Sequence, residues 1–231
     1  MTRLSLSYFE TVDARNSYHA IEQTLKNAPI DEIYWFSNQP FGHDPGIPVH
    51  WIPLEHPQPG QLFHPWYNQL CLETVPRAVT SDFNLIIHPD GYPVNPEAWS
   101  DEFWQYDYIG APWMHHQEHE RVGNGGFSWR SRRLYQALLD WNPSRLESAW
   151  PLHQRYLARR GDDPPDFPED TCLAVLFRPH LEQHYGIKFA PSDLAHQFSW
   201  ELYSSDNNSP WRGRSWGFHG RHTAPIYGQE L

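Results

Sequence analysis

The sequence predicts an α/β fold, a mostly parallel central sheet flanked by helices in a single domain. Three observations predict it. Residues 4–88 alternate strand and helix patterns in the order β-α-β-β-α-β, and a layered domain needs that alternation because each helix covers a sheet face. The last of these strands, Asn84-Leu85-Ile86-Ile87-His88, has a continuous apolar centre, as a strand buried on both faces requires. The chain has 231 residues, enough for one domain with a sizeable core. It divides loosely into residues 1–105, built of alternating elements, and residues 106–231, which are less regular.

Each element has its own signal. Residues 4–9, Leu-Ser-Leu-Ser-Tyr-Phe, alternate as a half-buried strand does. Residues 13–27 read as a helix with Ile21 and Leu25 on one face. Residues 32–36 form a second strand ended by Ser37-Asn38, and residues 49–52 a short third one. A helix over residues 65–75 starts with a proline that suits its first turn. Later, Tyr106 to Trp113 reads as a short strand entering a turn, and Gly123 to Gly126 as a glycine-rich loop. Residues 131–141 place Leu134, Ala137, Leu138 and Trp141 on one helical face. Residues 142–167 are polar and Pro-rich, the composition of a mobile insertion. Pro168-Glu169-Asp170 opens an apolar helix through Leu173, Leu176 and Phe177. Lys188-Phe189-Ala190 reads as a late strand, and the tail from Ser204 as loop.

Composition excludes some classes. The net charge is −11 and the longest basic cluster is Arg130, Arg132 and Arg133. A nucleic-acid binder needs a basic track, so nucleic acid is not an expected partner. A local arginine patch still suits a phosphate. Cys71 and Cys172 sit in apolar stretches and read as buried free thiols. No leader pattern opens the chain, and no apolar run approaches the ~18 residues of a membrane span. A cytoplasmic location without a span is the expectation. The 12 Trp, 12 Tyr and 12 Phe supply bulky core and also suit stacking on sugars.

Four constellations carry possible chemistry. His88-Pro89-Asp90-Gly91 follows the buried strand, at the sheet edge where open parallel sheets bind ligands. An imidazole and a carboxylate at i and i+2 converge on one ion when a turn bends the backbone; the same residues also read as a plain turn. Val122-Gly123-Asn124-Gly125-Gly126-Phe127 lets backbone approach a ligand, but it lacks the spacing of a dinucleotide fingerprint or a P-loop. Glu169-Asp170 lies in a helical first turn, where acids are common for stability alone and where an ionised Asp can also accept a proton. His219 stands between glycines in Trp216-Gly217-Phe218-His219-Gly220 and is free to ligate. His115, His116 and His119 match no zinc template and read as exposed loop.

In sequence order, Tyr106 to Trp113, Val122 to Ser131, Glu169-Asp170, Phe198-Ser199-Trp200-Glu201 and Gly217-Phe218-His219-Gly220 resemble a bacterial and viral family of glycosyltransferase-like domains of unknown function. The resemblance spans about residues 84–220. That family is similar to GT-A glycosyltransferases. The resemblance therefore implies a single GT-A-like domain over residues 1–231, with a nucleotide-binding half (about 1–105) and an acceptor-binding half (about 106–231). The metal-holding D-x-D element of GT-A enzymes falls on His88-Pro89-Asp90, where the family more often carries Gln-Thr-Asp. Asp90, His219 and His88 are then the implied ligands of Mn²⁺ or Mg²⁺. Asp170 is the implied base of an inverting transfer, and Glu169 orients the acceptor. Gly123, Asn124, Gly125, Gly126 and Arg130 border donor and acceptor, and Trp113 offers a stacking face. The implied partners are a nucleotide-sugar donor, UDP-linked by preference, and a glycan or other hydroxyl acceptor.

Two other functions fit parts of the pattern. A non-catalytic module binding glycans or nucleotide sugars gains if His88 abolishes metal binding at its place. A glycoside hydrolase needs two carboxylates. Glu169 and Asp170 are adjacent and diverge from a helix, so a second acid such as Asp107 would have to join them.

Overall fold

A computed structural model of the protein describes residues 2–10, 14–55, 63–141 and 168–230. The insertion expected over residues 142–167 and the first residue of the helix expected from residue 13 lie outside the described residues. Strands β1 (Leu4–Glu10), β2 (Glu32–Ser37), β3 (Val49–Pro53) and β4 (Phe83–Ile87) run parallel in one sheet. Two later strands, β6 (Tyr108–Gly110) and β7 (Ser128–Ser131), complete the order β3-β2-β1-β4-β7-β6. β7 is antiparallel to both of its neighbours, so strands from both halves of the chain share this sheet.

Helices cover both faces. α1 (Ala14–Asn27) contributes Ala20 and Ile21 to the core on one side. α4 (Arg132–Trp141) contributes Leu134, Tyr135, Ala137 and Leu138 to the other. β1 departs from its half-buried reading, because every residue from Leu4 to Phe9 is buried. Leu4, Leu6 and Tyr8 join the α1 side. On the other face the Ser5 hydroxyl is buried with a partner built in. Asn84 Nδ2 donates to Ser5 Oγ at 2.8 Å, and the Tyr135 hydroxyl donates to Asn84 Oδ1 at 2.8 Å.

The helix expected over residues 65–75 is a composite. α2 (Phe63–Gln69) passes through a π-helical turn, Leu70–Thr74, into α3 (Val75–Ala78). Pro76 has no N–H to donate, and just before it the Val75 N–H reaches back five residues to the Leu70 carbonyl. The apolar helix after Pro168 is built the same way, with α5 (Glu169–Thr171), a π-helical turn Cys172–Leu176, and α6 (Arg178–Tyr185) beginning ahead of Pro179. The strand expected over residues 188–190 is reduced to one parallel bridge between Phe189 and Tyr108.

A second sheet is small. β5 (Gly91–Pro93) pairs antiparallel with β9 (Gly217–His219), which runs parallel to β8 (Ser199–Trp200). α7 (Ser192–Phe198) leads directly into β8. The Gly217–His219 segment, read from sequence as loop, is thus a strand. Strands of two or three residues are too short to show alternation. Both cysteines are buried and free, as expected. Among the described residues no helix is long and apolar enough to cross a membrane.

Candidate active site at the carboxyl ends of the strands

The strand order 3-2-1-4 reverses direction between β1 and β4. In open parallel sheets the crevice beyond the carboxyl ends at such a reversal is where ligands sit. β4 delivers His88-Pro89-Asp90 to that edge. A tight hairpin follows, closed by His88 N–H to Gly91 O at 3.0 Å and Gly91 N–H to His88 O at 3.1 Å. In the small sheet Gly91 is paired with His219, and the Gly220 N–H donates to Asp90 O at 2.7 Å. Residues 131 positions apart in sequence, His88 and His219, thereby become neighbours with ring centroids 5.9 Å apart.

One ligand atom each from His88, Asp90 and His219 lies within 4.8 Å of the other two. The Gly126 backbone fills the space beside them. A Cβ there would overlap His219 Nε2 and stand 2.7 Å from His88 Nδ1. The remaining ring nitrogens are committed. His88 Nε2 is 2.6 Å from the Tyr67 hydroxyl, and His219 Nδ1 is 3.0 Å from Glu201 Oε1. With Nε2–H donated to Tyr67 and Nδ1–H to Glu201, the nitrogens facing Gly126 present lone pairs. Two imidazoles and one carboxylate are a donor set that suits Mn²⁺, and Mg²⁺ less closely. The residues present therefore fit a divalent ion.

Electrostatics agree with that fit. Burial, and then the charge of His219, push His88 down to about 4, so its imidazole is neutral. Burial alone would also depress His219. The Glu201 hydrogen bond and the carboxylates of Glu201, Asp90 and Asp170 outweigh it, and His219 is raised. The same carboxylates that favour a proton there favour a cation.

Across the glycine loop stands Asp170. Its Oδ2 accepts from the Gly125 N–H at 3.0 Å and its Oδ1 from the Thr171 N–H at 2.7 Å. Burial and the neighbouring Glu169 charge push it up from 3.8 to about 7, against the pull of those two N–H groups. Gly125 is required by contact, because a Cβ there would overlap Glu169 Oε1.

Asn124 ties the two sides together. Its Oδ1 accepts from the Gly126 N–H at 3.0 Å, and its Nδ2 donates to Glu201 Oε2 at 3.1 Å. Glu169, expected to orient the acceptor, and Arg130, expected to border donor and acceptor, have another placement. Arg130 is fully buried and donates to both Glu169 oxygens at 2.8 and 3.0 Å. Its Nε donates to Ser128 Oγ at 3.0 Å, and Ser128 Oγ donates to Gly125 O at 2.9 Å. The pair props the loop from beneath and does not face solvent. Trp113, expected to offer a stacking face, is 8% exposed, and its ring packs on Gly123 and lies 5.3 Å from the His116 ring. His115 and His119 are exposed, as read, and His116 is partly buried.

Tyr67 and Glu201 carried no role in the sequence reading. Glu201 stood within the Phe198-Ser199-Trp200-Glu201 stretch, but nothing in that stretch distinguishes an acid that orients a histidine. Tyr67 is one of twelve tyrosines, with no local signal at all.

Three comparisons bear on this geometry. A crystal structure of a glycosyltransferase involved in the glycosylation of the major capsid of PBCV-1 is similar with a TM-score of 0.51, over 97% of this chain and 96% of that one. Identity is 11%, so the likeness is one of fold: this chain has a glycosyltransferase-like fold. No curated protein matches the sequence. The model of the DUF5672 family, described as a protein of unknown function, matches residues 64–219, a stretch that takes in Tyr67, His88, Asp90, Asn124, Asp170, Glu201 and His219, and the chain belongs to that family.

Proposed function

We propose that this protein is a metal-dependent glycosyltransferase that moves a sugar from a nucleotide-sugar donor to a hydroxyl acceptor with inversion. The observation that carries the reading is a convergence around Gly125 and Gly126. His88, Asp90 and His219 gather on one side of that backbone, and Asp170 stands on the other. The glycosyltransferase-like fold supports it.

Asp90, His219 and His88 would hold Mn²⁺ or Mg²⁺, which supplies positive charge against the diphosphate leaving group. Asp170 takes the proton of the acceptor hydroxyl as that oxygen attacks the anomeric carbon. A carboxylate near 7 is a stronger base than an ordinary one, and about half of it is ionised at neutral pH. The two backbone N–H groups on its oxygens hold it in one orientation. Glu169 acts through Arg130 and through its own charge on Asp170, and so positions the base. The Gly125-Gly126 backbone and Asn124 border the sugar, with Asn124 also bracing Glu201, the acid that orients His219. General-base help contributes about 10²–10⁴-fold, so positioning of the two substrates supplies most of the rest.

One carboxylate in the role of base fits a single displacement. A hydrolase would need a second. Glu169 is held by Arg130, and Asp107 is held by Ser131 Oγ at 2.6 Å and the Lys188 N–H at 2.8 Å.

Incubation with a panel of nucleotide sugars and Mn²⁺ tests the proposal. Slow release of nucleoside diphosphate is expected even without acceptor. Binding without any release would favour a non-catalytic binding module. No nucleotide binding, with or without metal, would sink the reading.

A further inference from the structure

Tyr203 carries two energetic penalties at once. Its φ is +77°, the left-handed region, and every other described residue with positive φ is glycine. A Cβ makes that conformation unfavourable, and tyrosine gains nothing there that glycine would not. The residue is also 80% exposed, the most of any large hydrophobic residue among the described residues. An aromatic ring in water forgoes the burial that normally justifies it. Strain and exposure at one residue point to a ligand.

Its surroundings say where that ligand lies. The turn is pinned to the candidate site from several directions. Glu201, two residues earlier, holds His219. The Leu202 N–H donates to Thr223 Oγ1 at 2.9 Å, and Gly220, in the same segment as Thr223, bonds Asp90 O. On the other flank the Met114 N–H donates to Ser204 O at 2.7 Å. The His222 ring is exposed and meets the Tyr203 ring at 6.1 Å, 69° from parallel.

We infer that Tyr203, with His222 at its edge, is the platform on which the acceptor saccharide stacks. This inference rests on the glycosyltransferase reading of the same site. The ligand class is a pyranoside with a flat C–H face. Such a face packs on a phenol ring, while the sugar hydroxyls stay within reach of the imidazole and water. A tyrosine offers that area at low entropic cost because only two side-chain torsions must be held. A rigid turn, fixed by the bonds to Thr223 and Met114, keeps the ring in place before the sugar arrives.

The experiment uses the whole protein and a panel of methyl pyranosides, with binding read by saturation-transfer NMR. Tyr203→Gly removes the ring and relieves the backbone together, so folding is not at risk. We expect at least one pyranoside to bind the unsubstituted protein. Tyr203→Phe should keep that binding, and Tyr203→Gly should weaken it about tenfold or more. The melting temperature of Tyr203→Gly should rise, because strain is lost. Equal binding in Tyr203→Gly, absence of pyranoside binding, or a lower melting temperature would each overturn the inference. Nucleotide binding, measured in parallel on the unsubstituted protein, separates the two readings. Tyr203-dependent saccharide binding without nucleotide binding keeps the platform and removes the transferase. Nucleotide-sugar turnover with Tyr203-independent saccharide binding does the reverse.

Discussion

Arg130 Nη2 donates to both oxygens of Glu169, at 2.8 and 3.0 Å, and the two side chains are 0% and 3% exposed. The Arg130 guanidinium also lies 5.5 Å from the Tyr108 ring centroid. This pair links β7 to α5 beneath the glycine loop. It explains why an acid next to Asp170 is absent from the mouth of the site.

Breaking that pair from one side should be costly. Arg130→Met leaves Glu169 charged and buried without its partner, and a loss of about 3–5 kcal/mol in denaturant unfolding is expected. Adding Glu169→Leu removes the orphaned charge and should restore a large part of the loss. If Arg130→Met costs no more than an exposed ion pair does, the buried charge is otherwise compensated.

Asp170→Asn should keep nucleotide binding and lower sugar transfer by about 10²–10⁴-fold. The rate with unsubstituted protein should climb with pH and level off above about 7, because the protonated carboxyl cannot accept the acceptor proton. A pH profile flat between 5 and 8 would remove Asp170 from the proton transfer.

The same shift predicts a stability trend. Asp170 is raised from 3.8 to about 7, so the folded state holds its proton more tightly than the unfolded one. Its contribution to stability is full below about 4 and is lost as pH rises through about 7. Asp170→Asn should show a shallower decline over that window, read from melting temperatures at successive pH values. Parallel curves for the two proteins would contradict the burial argument.

Gly126→Ala tests the metal cradle. The added Cβ would overlap His219 Nε2 and press on His88 Nδ1. Mn²⁺ binding, followed by the loss of its free EPR signal, should weaken at least tenfold. Unchanged affinity would show that the ion, if bound, does not sit between these rings.

Tyr67→Phe removes the hydroxyl 2.6 Å from His88 Nε2. Partners that orient a ligating histidine typically contribute 10–100-fold in metal affinity, and a loss in that range is expected by the same titration. No change would leave Tyr67 as packing alone.

Much of this protein is legible in its residues. The succession of strands and helices from β1 to β4, the amphipathic face of α4 and the apolar helix after Pro168 are local signals, and they survive folding because the apolar residues that mark them enter the core, although β1 is buried on both faces. β7 escaped notice. Ser128-Trp129-Arg130-Ser131 reads as polar, yet all four side chains are buried, since Arg130 finds Glu169 and Ser131 finds Asp107. Its partners are 39 and 24 residues away, and no local pattern encodes a pairing at that distance.

The candidate site divides along the same line. Glycines at 123, 125 and 126, the acids at 169 and 170, and histidines at 88 and 219 stand out in the chain by type and neighbourhood. Which acid faces the cleft does not. Glu169 and Asp170 are equivalent by sequence, and a turn of about 100° per helical residue sends one to Arg130 and the other to the Gly125 N–H. The meeting of His88 with His219 likewise depends on a three-residue pairing between β5 and β9, too short to leave a periodic trace. Residue types are a local property and carry the chemistry available. Proximity is a property of the packed chain, and it assigns each group its neighbour and hence its charge state.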